Sequence, residues 1–305
     1  MRALVIGGSG FIGSHLVDAL THTGYSVRTY DRMPERFRST PAGVDFMQGD
    51  FSDTTALAEA LSGVDIVYHL LSTTVPGTSN LDPIADIEGN LVNTVRLLAL
   101  MREASVKRLV FLSSGGTVYG IPQADPVSEE HPLQPISSYG IVKSAIEHYL
   151  HMEHHLHGLE YTVLRASNPY GPRQGHGGVQ GVIGTYLWNY AHGEPLQLWG
   201  DGSVVRDFIY VEDLAELCVK GGEGSGVGCY NAGSGEGHSI LQIIDAISEV
   251  VGEKVLPDIK PGRGLDVPRS VLDIAKAKQV FDWAPATSLE EGIESSWAWV
   301  QEQSA

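Results

Sequence analysis

The sequence has few cysteines and no long apolar segment. Cys218 and Cys229 are the only two cysteines in 305 residues, too few for a disulfide framework and not spaced as metal ligands. We interpret both as small buried residues in a reducing compartment. No apolar run approaches the roughly 20 residues that a membrane span needs. Met1 leads directly into a strand-like segment, so we expect no signal peptide, no membrane partner and a cytoplasmic location.

Basic residues are also scarce. Twenty Lys and Arg stand against 37 Asp and Glu, which gives a formal net charge of −17. Because nucleic-acid phosphates need a basic surface, this charge argues against a nucleic-acid partner. An anionic substrate would therefore need arginines placed locally.

The first 32 residues have the pattern of a dinucleotide-binding unit. An apolar run is followed by Gly7, Gly10 and Gly13, and then by apolar residues at helical spacing. These glycines permit a tight turn, a close approach of the backbone to a pyrophosphate, and close packing of helix on strand. Asp31 ends the second predicted strand, where its carboxylate would accept from ribose hydroxyls and favour NAD over NADP. Arg32 weakens that preference slightly, since arginine can hold a 2′-phosphate.

Strands alternate with helices along the following sequence, which predicts an α/β fold with a doubly wound, Rossmann-like parallel sheet. Further strands are expected over residues 44–48, 64–71, 107–112 and 161–166. Ligands bind beyond the carboxyl ends of such strands. We therefore predict that the remaining cofactor contacts come from Phe11, Ile12, Asp50, Phe51, Leu70, Leu71, Ser72, Asn90, Ser113 and Pro169.

Asn90 lies on a helix predicted over residues 83–104, where it is available either to a neighbouring loop or to the cofactor. Residues 1–167, with contributions from about 206–232, are predicted to form the NAD-binding domain. Residues 168–305 are predicted to form mainly an interleaved, smaller substrate-binding unit.

Tyr139 and Lys143 are four residues apart on a predicted helix, so their side chains share one face. An ammonium near a phenol, together with a nicotinamide cation, would lower the phenol's pKa from about 10 and make Tyr139 a usable general base. Taken alone, such a pair is more often part of an ordinary amphipathic helix.

The same helix carries five histidines whose spacing is compatible with a metal. The sequence supplies no supporting Cys or Asp ligand and lacks the His-Glu-x-x-His order. We predict no metal and a solvated helix face at His148, His151, His154, His155 and His157.

A larger set of motifs occurs together and in order along nearly the whole chain. It comprises Gly7-x-x-Gly10-x-x-Gly13, Asp31, Gly49-Asp50, Val118-Tyr119-Gly120, Tyr139-x-x-x-Lys143, Asn168-Pro-x-Gly171, Arg206-Asp207 and Arg263-x-x-Asp266. This set resembles the extended short-chain dehydrogenases that act on nucleotide sugars, the NAD-dependent epimerase/dehydratase family, and most of all its UDP-glucose 4-epimerase branch.

The resemblance implies a 4-epimerase with tightly bound NAD. Tyr139 would take the proton of the sugar 4-hydroxyl during oxidation at C4, and Lys143 would hold the nicotinamide ribose. The 4-keto sugar would turn over and be reduced on its other face, which regenerates NAD. The substrate would be a UDP-sugar, and the implied substrate-binding residues are Thr74, Ser114, Asn168, Arg173, Arg206, Arg263, Asp266 and Ser270. The resemblance also implies a homodimer through residues 83–104 and 137–157.

Two positions depart from the family's pattern. Where the epimerases usually have a Ser or Thr beside the catalytic tyrosine, this chain has Gly115, so Ser114, Thr117 or a water must supply the catalytic hydroxyl; Thr117 is favoured. Ser270 stands where a large tyrosine restricts other epimerases to plain hexoses, so UDP-N-acetylhexosamines are expected to fit. Its neighbour Arg269 could instead contact a uronate.

Two rival functions remain open. The chain could be a nucleotide-sugar dehydratase or a ketosugar reductase on the same fold, although residues 115–117 lack the Asp-Glu pair of the dehydratases. It could also be a non-catalytic NAD-binding sensor or scaffold. The intact Tyr139 and Lys143 argue against the second rival.

Overall fold

The computed structural model describes residues 1–175, 181–224, 226–262 and 267–304. Its first part alternates strands with helices: β1 (Arg2–Ile6), α1 (Phe11–His22), β2 (Ser26–Asp31), β3 (Asp45–Gln48), α2 (Thr54–Ala60), β4 (Ile66–His69), α3 (Pro83–Asp86), α4 (Asn93–Glu103), β5 (Arg108–Ser114), α5 (Ser138–His157) and β6 (Glu160–Ala166). A 3₁₀ turn, Ser79–Leu81, precedes α3, and a π-helical turn, Ile87–Val92, joins α3 to α4.

The later part of the chain has shorter strands. It comprises β7 (Asn168–Tyr170), α6 (Val182–Ala191), β8 (Gln197–Trp199), β9 (Val205–Tyr210), α7 (Val211–Glu223), β10 (Gly228–Ala232), β11 (Gly237–Ser239), α8 (Ile240–Val251), β12 (Asp258–Lys260), β13 (Arg269–Ser270), α9 (Ala275–Phe281) and α10 (Leu289–Ser304).

Seven parallel strands form the central sheet in the order β3-β2-β1-β4-β5-β6-β10. Both faces of the sheet are buried, as expected of parallel strands that carry helices on each side. In β1, Ala3 and Val5 belong to the core shared with α1 and α7, whereas Leu4 and Ile6 belong to the core shared with α4 and α5. The predicted doubly wound α/β fold is confirmed.

The chain leaves this sheet after β6 and returns to it once. Strand β9 pairs with β7, β11 and β13 in a smaller sheet, and β8 pairs with β12. Helix α7 then packs on α1, and β10 joins the edge of the central sheet beside β6. The predicted contribution of residues 206–232 to the NAD-binding domain thus comes from α7 and β10, while β9 lies in the smaller sheet. The proposed domain boundary stays a prediction.

The helix predicted over residues 83–104 is interrupted. Its middle turn is π-helical, and the Asn90 side chain within that turn bonds to loop 72–74 and to Asp86. Such turns often mark functional sites. No helix in the described ranges is long and apolar enough to cross a membrane.

Candidate active site

The glycine loop between β1 and α1 is shaped by close backbone contacts. Gly7 has a φ of +85°. A Cβ on Gly13 would lie 2.1 Å from the Gly7 carbonyl oxygen, so only glycine lets α1 pack so closely on the loop. Helix α1 begins after Gly10 without a side-chain cap. The first-turn amides of Phe11 and Ile12 are therefore oriented as donors for an anion.

A cavity of about 780 Å³ opens at the carboxyl ends of β1, β2 and β4. Nine predicted cofactor residues line it: Gly7, Gly10, Asp31, Arg32, Asp50, Phe51, Leu70, Leu71 and Ser72. Sequence reasoning missed its opposite wall, formed by Ala85, Glu88, Gly89, Val92, Asn93 and Arg96. These residues recur at intervals of three and four, so the predicted helix 83–104 would place them on one face. That spacing could have identified the wall from the sequence.

Two carboxylates in this cavity are held by nearby backbone amides. Asp31 accepts from the Ser9 amide at 3.2 Å and from the Arg32 amide at 2.7 Å. Asp50 accepts from the Ser52 hydroxyl and amide, and these hydrogen bonds hold the pKa of its carboxyl below the usual range. A glycine cradle beside two carboxylates, in a cavity of this size, fits a dinucleotide such as NAD.

Helix α5 places Tyr139 and Lys143 together. The Ser137 hydroxyl caps the helix by accepting from the Gly140 amide at 3.2 Å, so Tyr139 lies in the first turn. The Lys143 Nζ lies 5.5 Å from the centre of the Tyr139 ring and donates to the Leu112 carbonyl at 2.8 Å. The predicted pair thus shares one face beside β5.

Without a cofactor, the surroundings of this pair act against ionisation of the phenol, and the predicted effect of a bound nicotinamide cation stays a prediction. Burial and the Asp86 carboxylate raise the pKa of Tyr139 to about 12, against a hydrogen bond with Ser72 that lowers it. Burial lowers the pKa of Lys143 to about 8, against the carboxylates of Glu147 and Asp86. The cost of burying a phenolate is therefore the largest effect on Tyr139, and the Lys143 ammonium is directed at the Leu112 carbonyl.

Asn90 and Thr74 are held by hydrogen bonds within the site. The Asn90 Oδ1 accepts from the Thr73 amide at 2.8 Å, and its Nδ2 donates to Asp86 Oδ1 at 2.9 Å. The Thr74 hydroxyl donates to the same Asp86 oxygen at 2.6 Å. Both side chains thus bond to Asp86, and the predicted cofactor contact of Asn90 and substrate contact of Thr74 stay predictions. The neighbouring-loop alternative for Asn90 is the one observed.

Close packing around the loop after β5 explains why position 115 is a glycine instead of the usual Ser or Thr. A Cβ on Gly115 would lie 2.6 Å from Leu272 Cδ1 and 2.9 Å from the Arg165 carbonyl, so a side chain there would enter a packed wall. The Thr117 hydroxyl makes a long bond of 3.4 Å to the Ser114 carbonyl. Both Ser114 and Thr117 are half-buried, and which of them assists Tyr139 stays a prediction.

Two further predicted residues have partners inside the protein. The Ser113 hydroxyl is buried and donates to Glu147 Oε1 at 2.5 Å. The Arg173 guanidinium donates to Asp18 at 2.9 Å and lies 3.6 Å from Glu35. The predicted cofactor contact of Ser113 and substrate contact of Arg173 stay predictions.

The other predicted substrate residues surround the small sheet. Asn168 Nδ2 donates to the Asp207 carbonyl at 2.7 Å, and the Arg206 guanidinium donates to the carbonyls of Val205 and Val267. Ser270 pairs with Arg206 across β13 and β9. Arg263 and Asp266 lie outside the described residues. The substrate roles of these residues stay predictions.

Three smaller observations complete the site. Pro169 lies in β7, and its carbonyl accepts from Gln174 Nε2 at 3.0 Å. Arg269 pairs with Asp125 at 2.5 Å, which leaves it less available to a uronate.

Two of the helix α5 histidines bond to nearby carbonyls, His148 to Ser144 and His154 to Leu159. In the described ranges, no group of three or more His, Cys, Asp or Glu is arranged to hold a metal ion.

Comparison with known proteins extends these findings over the whole chain. Residues 3–233 match the model of the NAD dependent epimerase/dehydratase family. A curated UDP-glucose 4-epimerase of Mycolicibacterium smegmatis is 37% identical over 303 residues, with 96% of each chain covered.

Solved structures agree in fold and length. The UDP-glucose 4-epimerase of Thermotoga maritima with UDP-glucose has a TM-score of 0.95 and 34% identity, covering 99% of each chain. The Thermus thermophilus UDP-glucose 4-epimerase complex with NAD has a TM-score of 0.91 and 35% identity, again covering 99% of each chain.

Proposed function

Because this chain belongs to the NAD-dependent epimerase/dehydratase family, we propose that it is a nucleotide-sugar 4-epimerase that acts on UDP-sugars with bound NAD. The observation that carries the proposal is the position of Tyr139, which shares a helix face with Lys143 and bonds to Ser72 in the wall of a cavity built by the glycine loop and Asp31. Similarity to epimerases over nearly the full chain supports it.

The proposed chemistry divides between the cofactor and the chain. NAD, when bound, supplies the reversible two-electron oxidation at the sugar. Gly7, Gly10 and the first-turn amides of α1 would hold its pyrophosphate, and Asp31 would accept from its ribose hydroxyls. Lys143 would stand near the nicotinamide end, since it shares a face with Tyr139.

Tyr139 would move the proton. Its phenolate takes the proton of the sugar 4-hydroxyl as C4 is oxidised, and its phenol returns the proton when C4 is reduced on the opposite face. A hydroxyl from Ser114 or Thr117 would orient the sugar oxygen. Since the redox state of the cofactor is restored in each cycle, turnover needs no added reductant.

The sugar preference follows from the small side chain of Ser270. We propose that it leaves space for an N-acetyl group, so that UDP-N-acetylhexosamines are accepted alongside or instead of UDP-glucose. The ion pair of Arg269 with Asp125 makes a uronate the weaker alternative.

We further propose a cytoplasmic homodimer. The part of the chain predicted to form the contact exposes apolar side chains on two neighbouring helical segments: Ile84, Ile87, Ile141, Met152 and Leu156. Such a patch is typical of a protein interface.

The test is NMR of the products from purified protein and single UDP-sugars, without added cofactor. We expect UDP-glucose and UDP-N-acetylglucosamine to give their 4-epimers. Consumption of added NAD(P)H, or release of a 4-keto-6-deoxy sugar, would instead indicate a reductase or a dehydratase. A strong preference for UDP-glucose would contradict the open pocket inferred from Ser270.

A further inference from the structure

A buried carboxylate lies beside the proposed catalytic base. Asp86 is fully buried, and three side chains donate to it. Thr74 and Asn90 donate to Oδ1 at 2.6 and 2.9 Å, and the Ser138 hydroxyl donates to Oδ2 at 2.7 Å. Ionised Asp is an acceptor only, so these three donors satisfy both of its oxygens.

The three donors come from three different elements. Thr74 lies in the loop after β4, whose residues 70–73 line the cofactor cavity. Asn90 lies in the π-helical turn, and Ser138 is the first residue of α5, immediately before Tyr139. Asp86 therefore joins the cavity wall to the turn that carries the base.

The backbone of the first turn of α5 is held by the 3₁₀ turn that precedes Asp86. The Ser138 amide donates to Asn80 Oδ1 at 2.8 Å, and the Tyr139 amide donates to the Ser79 hydroxyl at 3.1 Å. With the Ser138–Asp86 bond, these contacts hold Tyr139 against the 3₁₀ turn and α3. A small movement of Asp86 would move Tyr139 with it.

We propose that Asp86 is a positioning residue for Tyr139: it fixes the first turn of α5, and its charge disfavours the Tyr139 phenolate in the free enzyme. This inference rests on the proposed function, because it assigns Asp86 a role in the proton transfer described above. Asp86 is not among the site residues that we predicted from the sequence.

The groups around Tyr139 show which charge opposes its ionisation. Asp86 faces Tyr139 from α3, Ser72 faces it from the loop after β4, and Lys143 faces it from its own helix. Behind Lys143 lie Glu147, one turn further along α5, and the neutral imidazole of His69 on β4. Of the two full charges nearest the phenol, only Asp86 opposes its ionisation.

The consequence is that Tyr139 would be ionised at the oxidation step, where a base is required. The positive charge of the oxidised cofactor would offset Asp86 and allow Tyr139 to accept the sugar proton. Once that charge is neutralised, Asp86 would favour the protonated phenol, which keeps the proton available for the return step. The carboxylate would thus raise the pKa of Tyr139 in both redox states of the cofactor, while the change in cofactor charge moves that pKa between the two steps.

The test replaces Asp86 by Asn, which has nearly the same shape. The amide oxygen can still accept from Thr74 and Asn90, and the amide nitrogen can donate to Ser138, whose hydroxyl can reverse. We expect the acidic limb of the kcat/KM profile with UDP-glucose, which reports the free enzyme, to move to lower pH by about one unit. An independent readout is the tyrosinate absorption of the protein without substrate, taken as a difference from Tyr139→Phe in each background. Its midpoint should fall in D86N.

Two control variants separate charge from structure. Ser138→Ala removes a hydrogen bond but keeps the Asp86 charge, so it should lower turnover without lowering either midpoint. Glu103→Gln removes an exposed charge at the end of α4 and should change nothing. If D86N slows turnover and leaves both midpoints in place, Asp86 is only structural and the proposal is wrong. If no UDP-sugar is epimerised, the proposed function fails, but the tyrosinate titration still decides the effect of Asp86.

Discussion

At the scale of single residues, the proposed reaction depends most on one phenolic oxygen. Tyr139→Phe removes that oxygen and preserves the ring beside Lys143. We expect kcat to fall by about 10² to 10⁴, the usual contribution of a general base, while NAD remains bound. Steady-state rates with UDP-glucose and the cofactor content of the purified protein measure the two effects. The same replacement at Tyr190, in α6, should leave both unchanged; full activity of Tyr139→Phe would refute the mechanism.

His69 gives a prediction about stability. Its imidazole is buried between the rings of Phe51 and Phe111, and its Nε2 lies 2.9 Å from the Thr94 hydroxyl. Burial, assisted by the charge of Lys143, lowers the pKa of His69 to about 3. Because the unfolded chain binds a proton near pH 6.5 and the folded protein does not, His69 destabilises the fold increasingly as the pH falls below that value.

The measurement is urea unfolding of the parent and His69→Gln between pH 7 and about pH 5. Relative to the variant, the parent should lose about 1.4 kcal/mol of unfolding free energy per pH unit below pH 6.5. His157→Gln, at an exposed position on α5, should keep the parent's pH dependence. Equal slopes for the parent and His69→Gln would mean that His69 is protonated inside the fold.

The sequence predicted single residues best where their own chemistry determines the role. Gly7, Asp31 and Ser72 line the cofactor cavity as expected, because local spacing places them at or just after strand ends. The protein partners of Asn90 and Arg173 were not predicted. Thr73 and Asp18 come from segments distant in the sequence, so neither pairing is visible in a local pattern.

At the scale of elements, the packing of α1 on the glycine loop gives the next prediction. Gly13→Ala would place a Cβ 2.1 Å from the Gly7 carbonyl oxygen and 2.8 Å from Gly8 Cα, so α1 must move away from β1. We expect the purified variant to have lost most of its NAD, as measured by absorbance after release of the cofactor. Gly175→Ala, where a Cβ meets nothing within 4 Å, should retain it. A Gly13→Ala protein with full NAD content would show that α1 can shift without loss of binding.

The segment between β4 and β5 shows what the periodic pattern could not predict. Apolar spacing predicted one continuous helix over residues 83–104, and helical backbone does extend over most of it. The π turn depends on polar side chains, since Asn90 reaches loop 72–74 and Asp86 reaches α5. Hydrophobic periodicity carries no information about such polar contacts. Among the apolar residues of this segment, Leu98 is buried whereas Ile84 is 64% exposed.

At the scale of the whole molecule, the sequence predicted the central sheet but not its last strand. Alternating strands and helices indicated the parallel core, because each such segment is locally patterned. Strand β10 joins β6 from more than 60 residues further along the chain, and no local pattern specifies that pairing. The exposed apolar residues of α3 and α5 raise a related question, since nothing in one copy of the chain covers them among the described residues.

A second copy of the chain is the partner that we predict for this surface. Met152→Glu with Leu156→Glu would place two charges on the α5 face, where Leu156 is 60% exposed. A buried, unpaired charge is costly, so the dimer should dissociate while each monomer stays folded. Light scattering at micromolar concentration should give twice the chain mass for the parent and the single chain mass for the double variant. Leu256→Glu, at a side chain 74% exposed before β12, should remain dimeric. A monomeric parent would contradict the prediction, and a double variant that remains dimeric would place the interface elsewhere.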